Sequence, residues 1–214
     1  MRRWIVATVV LLLAGAAVAD DGTARELTRE LEIAAGRPVE VSLKVGELQI
    51  ETAATDKVTV EIEARCREAA EPKCYRRLAD LDAVSTATEE GTLVEITGVS
   101  KRYHRMEIEA TVTVPESSPL VVRMYAGELD VAGGGQDLDI RLKYGDVSVT
   151  QPMAATRSAL ADANFGDAQI YAAAGDADPK RPWMVGSKVT WEGGEGDAVV
   201  TVKLSAGDAT VHLD

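Results

Sequence analysis

A five-residue unit recurs along this chain: Gly, an acid, an apolar residue, any residue, an apolar residue. Its six copies start at Gly46 (G-E-L-Q-I), Gly127 (G-E-L-D-V), Gly145 (G-D-V-S-V), Gly166 (G-D-A-Q-I), Gly196 (G-D-A-V-V) and Gly207 (G-D-A-T-V). Gly relieves the steric cost of a sharp corner at positive φ, and a following carboxylate can hydrogen-bond nearby backbone to close the turn. The apolar pair then points inward and the residue between them outward, as for Asp130, Ser148, Gln169 and Thr210. Self-similarity of this kind marks stacked coils, none of which can bury its apolar side alone.

The segments around these units read as strands. Val39, Val41, Leu43 and Val45 alternate with polar residues, as do Val58, Val60 and Ile62, and Met106, Ile108, Ala110, Val112 and Val114. Strict alternation over such runs marks half-buried strands. A short helix is predicted over about Tyr75 to Leu81, with Leu78 and Leu81 on one face. The fold expected is therefore all-β: a single-stranded, right-handed β-solenoid of irregular coils with one short helix after a disulfide loop. A twisted β-sandwich is the alternative, because irregular repeat spacing also suits hairpins.

Residues 1–19 read as a secretory signal peptide: Arg2 and Arg3, an apolar run from Trp4 to Ala14, then Ala17-Val18-Ala19 before Asp20. The run is short for a bilayer span, and no Cys follows it to take a lipid. Residues 20–214 form the expected mature domain, and no later segment reads as transmembrane. Export makes a disulfide the default for Cys66 and Cys74, which stand in C-R-E-A-A-E-P-K-C without the C-x-x-C spacing or His partners of a redox or metal pair.

Charge narrows the partners. Lys plus Arg number 23 against 35 Asp plus Glu, a net charge of −12, which phosphate backbones repel. Nucleic acid is therefore excluded as an expected partner. The G-G-x-G-x-D register of calcium rolls is missed at both Gly133–Asp137 and Gly193–Asp197, so no metal is expected. The acids stacked coil over coil need screening, which Lys44, Arg141, Lys143 and Lys203 can provide. No zinc H-E-x-x-H, phosphate loop, G-x-S-x-G or S-x-x-K is present, and no catalytic residues or cofactor are expected. His212 alternates outward between Val211 and Leu213 as a surface strand residue. Two surface clusters are candidates for binding. One is the basic patch with Arg102, Tyr103, His104 and Arg105; the other is Trp183 with Trp191, whose aromatic rings can stack on sugars or cap the last coils.

The stretch T-V-P-E-S-S-P-L-V-V-R-M-Y-A-G-E-L-D-V (Thr113 to Val131), the following L-K-Y-G-D-V-S-V, and E-L-E-I-A-A-G-R-P-V-E-V-S-L-K-V-G-E-L-Q-I (Glu30 to Ile50) resemble a bacterial adhesin-like domain of unknown function, a β-repeat solenoid family. The Cys66–Cys74 insertion and the break from Gly175 to Gly186 depart from that pattern. The resemblance implies an exported, non-enzymatic protein of the periplasm or cell surface that presents a repetitive β-surface. Its expected partners are an envelope glycan, an envelope protein or a second copy of itself. A periplasmic sensing or scaffold protein with one specific protein partner is an alternative, and a small carbohydrate-active β-helix enzyme is another.

Overall fold

The computed structural model describes residues 24–67, 72–100, 105–173 and 186–214. The predicted signal peptide lies outside these residues. Three long strands set the architecture: β2 (Val39–Ala53), β7 (Leu120–Ala132) and β8 (Leu138–Gln151). They run parallel and in register, with Gly46 opposite Gly127 and Gly127 opposite Gly145. In β7, Leu120, Val122 and Met124 are buried before the glycine, and Leu129 and Val131 after it. The buried parity thus switches from even to odd at Gly127. Because side chains alternate between faces with a period of two, this one-residue shift lets both halves of a bent strand face one core.

The same corner is made by split strands. β12 (Ala198–Ala206) and β13 (Ala209–Leu213) flank Gly207, while β9 (Thr156–Ala163) and β10 (Ala168–Ala172) flank Gly166. Five of the six repeat glycines, at 46, 127, 145, 207 and 166, therefore stack as a ladder, all with φ between 123° and 143°. Gly196 stands apart in the turn entering β12, against Ala155, so its unit shares the inward pattern but not the corner.

On one side of the ladder the hydrogen-bonded order is β4 (Asp82–Ala87), β5 (Thr92–Thr97), β2, β7, β8, β12, β9, β11 (Ser187–Glu192). On the other it is β1 (Ala24–Glu32), β3 (Lys57–Cys66), β6 (Met106–Pro115), β2, β7, β8, β13, β10. The all-β class is as the alternation predicts. The order of strands in the sheet does not follow their order in the chain. The β12/β13 coil lies between β8 and the earlier β9/β10, and antiparallel strands occupy both ends of the sheet. The core consists of Val, Ile, Leu and Ala from all these strands, with Leu43, Ile50, Leu120, Ile140, Leu142 and Ile170 among its largest fully buried side chains.

Five residues, 133–137, return the chain from β7 to β8. Buried Gln151 supports this turn, its Nε2 donating to the Gln136 carbonyl at 3.0 Å, while the Gln136 side-chain oxygen accepts the Gly134 N–H at 2.8 Å. These two bonds serve the Gly134 N–H and the Gln136 carbonyl, while Gln136 Nε2 and Gln151 Oε1 are buried without a hydrogen-bond partner among the described residues.

The single α-helix among the described residues, α1 (Pro72–Asp80), begins earlier than Tyr75, with Pro at a first-turn position where its missing N–H costs nothing. Cys74 lies within it and is disulfide-bonded to Cys66 at the end of β3, with a Cα–Cα distance of 6.0 Å. Arg25 of β1 donates to the carbonyls of Leu78 and Ala79 at the helix C-terminus. Cys74, Leu78 and Leu81 are buried, so the disulfide holds an apolar helix face on the sheet end. Replacing both cysteines by serine is expected to lower stability by roughly 2–3 kcal/mol, the loop-closure value for so short a ring. Urea unfolding of the oxidised wild type and the C66S/C74S variant measures it; equal midpoints would refute a stabilising role.

Candidate functional site

The four residues leading into the corner glycines align as well as those following them: S-L-K-V-G from Ser42, R-M-Y-A-G from Arg123, R-L-K-Y-G from Arg141, K-L-S-A-G from Lys203 and D-A-N-F-G from Asp162. Because the strands are in register, each column of this alignment becomes a row across the outer face. One row is Ser42, Arg123, Arg141, Lys203 and Asp162; the next carries Lys44, Tyr125, Lys143, Ser205 and Asn164. These rows enclose an open groove of about 500 Å³. It gathers five cations and a tyrosine on a strongly acidic protein.

The groove is held in shape by its own contacts. Arg123 donates to the Val122 and Asp139 carbonyls at 3.2 and 3.1 Å and to the Asp139 carboxylate at 3.0 Å. Arg141 reaches the same carboxylate at 3.3 Å. One carboxylate thus orients two guanidinium groups, a pre-organisation that Arg allows through its planar, multi-donor head. Lys143 lies over the rings of Tyr125 and Tyr144, 5.2 and 5.3 Å from their centroids, and the two rings meet edge to face at 5.5 Å. Lys44 pairs with Glu95 at 3.4 Å at one end, and Lys188 pairs with Asp162 at 3.6 Å at the other. Among the described residues, Lys143 and Lys203 have no carboxylate partner.

Across the glycine ladder the charge reverses. Glu26, Glu63, Glu109, Glu47, Glu128, Asp146, Asp208 and Asp167 occupy one cross-strand row, with Asp208 and Asp167 immediately before β13 and β10 and the others on their strands. The cations expected to screen the turn acids are therefore not beside them; they form the groove on the opposite side of the corner. The turn acids have another use. The Asp146 carboxylate accepts the Asp208 N–H at 2.9 Å, and the Asp208 carboxylate accepts the Asp167 N–H at 2.8 Å. Each of these aspartates satisfies the backbone of the next coil.

A cleft at the other end of the acid row holds Arg65, Arg67, Glu107 and Glu109. Arg65 hydrogen-bonds Glu107, and Arg67 Nε lies 3.1 Å from the same carboxylate. The Arg65 hydrogen bond holds the Glu107 carboxyl below the usual carboxylate range. A carboxyl kept ionised in this way is poorly matched to donate a proton near neutral pH.

Of the surface candidates read from the sequence, Arg105 and Trp191 fall among the described residues. Arg102, Tyr103, His104 and Trp183 lie outside the described residues. Arg105 precedes β6, where its carbonyl accepts the Arg67 N–H at 2.9 Å. Trp191 sits on β11, opposite Ala159 of β9, half-buried and packed on the core at the other end of the sheet. His212 lies on β13, its ring stacked on Tyr171 at 5.1 Å.

No protein-family model and no curated protein matches the chain. Among solved structures, one from Clostridium sporogenes, named as a candidate cell adhesion protein, superposes with a TM-score of 0.53 at 11% identity, covering 89% of this chain and 100% of that one. Two others are named as candidate adhesins. The Parabacteroides distasonis protein scores 0.29 at 10% identity over 89% of this chain and 71% of its own. The Bacteroides fragilis protein scores 0.27 at 10% identity over 87% and 97%. At these identities the likeness to the Clostridium protein is one of fold.

Proposed function

We propose that this chain is an exported, non-enzymatic, adhesin-like protein of the cell envelope or surface that binds through its repetitive β-surface. In this reading residues 1–19 are a cleaved leader and residues 20–214 the working domain. The stacked β2, β7 and β8 coils are a short right-handed β-solenoid, lengthened by the two split coils and finished with antiparallel strands. The observation that carries the reading is the groove, whose cationic and aromatic residues recur coil by coil on one outer face. Repetition of this kind suits an extended partner met at many weak contacts rather than a small substrate enclosed in a pocket. The shared fold with the Clostridium protein adds support.

Protease shaving of intact native cells, followed by detection of the protein, tests the location. Digestion on intact cells is the expected result. Protection until the envelope is permeabilised would overturn a surface role and favour a resident periplasmic scaffold.

A further inference from the structure

The arrangement of the groove defines the chemistry of what fits it. Arg123, Arg141 and Lys203 stand on three consecutive strands in one row, so their attachment points step by about 4.8 Å, the strand spacing. From β2 to β12 the site extends about 14 Å, three such steps. Anionic groups repeated along a stiff chain at sugar-length intervals would meet one cation per strand. Guanidinium groups bind planar carboxylates through paired N–H donors, and the two arginines here are already oriented by Asp139. Tyr144, 44% exposed, and Tyr125 supply ring faces beside Lys143 on which the C–H face of a sugar can stack.

Charge density separates the candidate polyanions. The groove sets five cations against Glu95 and Asp139, a modest surplus on a chain of net charge −12. A duplex, with about one phosphate per 1.7 Å of axis, would bring far more negative charge than this surplus offsets, against the repulsion of the whole molecule. A glycan with one carboxylate per sugar is matched to it. The acid row across the corner repels the same ligand and confines it to the groove side.

We propose that the groove of Arg123, Tyr125, Arg141, Lys143 and Lys203, with Tyr144 beside it, is a binding site for a linear carboxylated glycan, laid across the strands with one carboxylate to each strand step. The inference rests on the binding role proposed above and names the ligand class of that surface.

Affinity electrophoresis of the oxidised chain through gels containing polygalacturonate, neutral dextran or a single-stranded oligothymidylate tests it. Two charge-reversed variants accompany the wild type: Lys143→Glu/Lys203→Glu in the groove, and Lys73→Glu/Arg76→Glu on α1 with the same change in net charge. All are checked for an unchanged melting temperature. The expected result is retardation of wild type and of the helix variant by polygalacturonate alone, weakening with salt, and at least tenfold weaker binding by the groove variant. Equal loss in both variants, or none in either, would refute the site. Retardation by dextran or oligothymidylate at least as strong as by polygalacturonate would refute the ligand class while leaving a binding surface in place. No retardation by any of the three would also refute the ligand class, with the binding role then to be pursued against envelope proteins. If the groove variant melts early, Lys203→Gln alone serves, with a smaller loss of the same sign expected.

Discussion

Replacing Gly145 by alanine is expected to cost at least about 4 kcal/mol, a large fraction of the stability of an ordinary domain. The reason is local and severe. A Cβ at this position would lie 1.8 Å from the Gly127 carbonyl oxygen and 2.9 Å from its carbon, so the neighbouring strand's backbone, rather than a flexible side chain, would have to move. Gly127 cannot yield freely, because it is itself wedged against Gly46, and Gly207 stacks on the other side of Gly145. The φ of 123° adds a conformation that residues with a Cβ rarely adopt. Gly36 supplies the comparison: its φ is 66° and nothing lies within 4 Å of a Cβ there. Gly36→Ala should therefore cost only about 1–2 kcal/mol, the left-handed penalty alone. Chemical denaturation of the two variants side by side decides the matter, and similar midpoints would show that the ladder can open without losing the fold.

The next largest effect is expected at Ile140. Ile140→Ala should remove about 3–4 kcal/mol, in the middle of the range for such truncations. Ile140 is fully buried on β8, between Val122 of β7 and Val202 of β12 in register. Both flanking strands are held by hydrogen bonds on both sides, so they cannot move in to fill the space left by the lost methylenes. Val84→Ala, on β4 and 39% exposed, should change stability by less than about 0.5 kcal/mol. Urea midpoints at constant slope measure the difference. A cost under about 1 kcal/mol for Ile140→Ala would mean that the core closes around the gap.

The strands themselves were legible because burial on one face forces apolar alternation, and Val39 to Val45 or Met106 to Val114 display it without interruption. The corners were legible because a positive-φ glycine followed by an acid has few substitutes. The order of the coils was not. The β9/β10 and β12/β13 segments carry the same inward pattern, so exchanging their places would satisfy the alternation equally well, and only packing in three dimensions distinguishes them. The antiparallel ends escaped for a similar reason: alternation says which residues face inward, not the direction of the neighbouring strand. The helix start could have been placed from Pro72, whose missing N–H favours a first-turn position. The groove was legible only in part. R-M-Y-A-G, R-L-K-Y-G and K-L-S-A-G show their shared column once aligned on the glycine that ends them, whereas the recurring unit as read began at that glycine and ran the other way.

The position of the last coil has a consequence for how the molecule is made. Synthesis delivers β9 and β10 before β12 and β13, yet β12 and β13 are the strands that join them to β8. Until residues 198–213 emerge, the β9/β10 segment has β11 alone among its final strand neighbours, and the β8 edge stands open beside it. Folding therefore cannot proceed as a zipper that adds each coil to the one before. The final stretch of chain must enter a slot between two surfaces made earlier, and until it does, two unpaired strand edges are exposed to any other chain nearby.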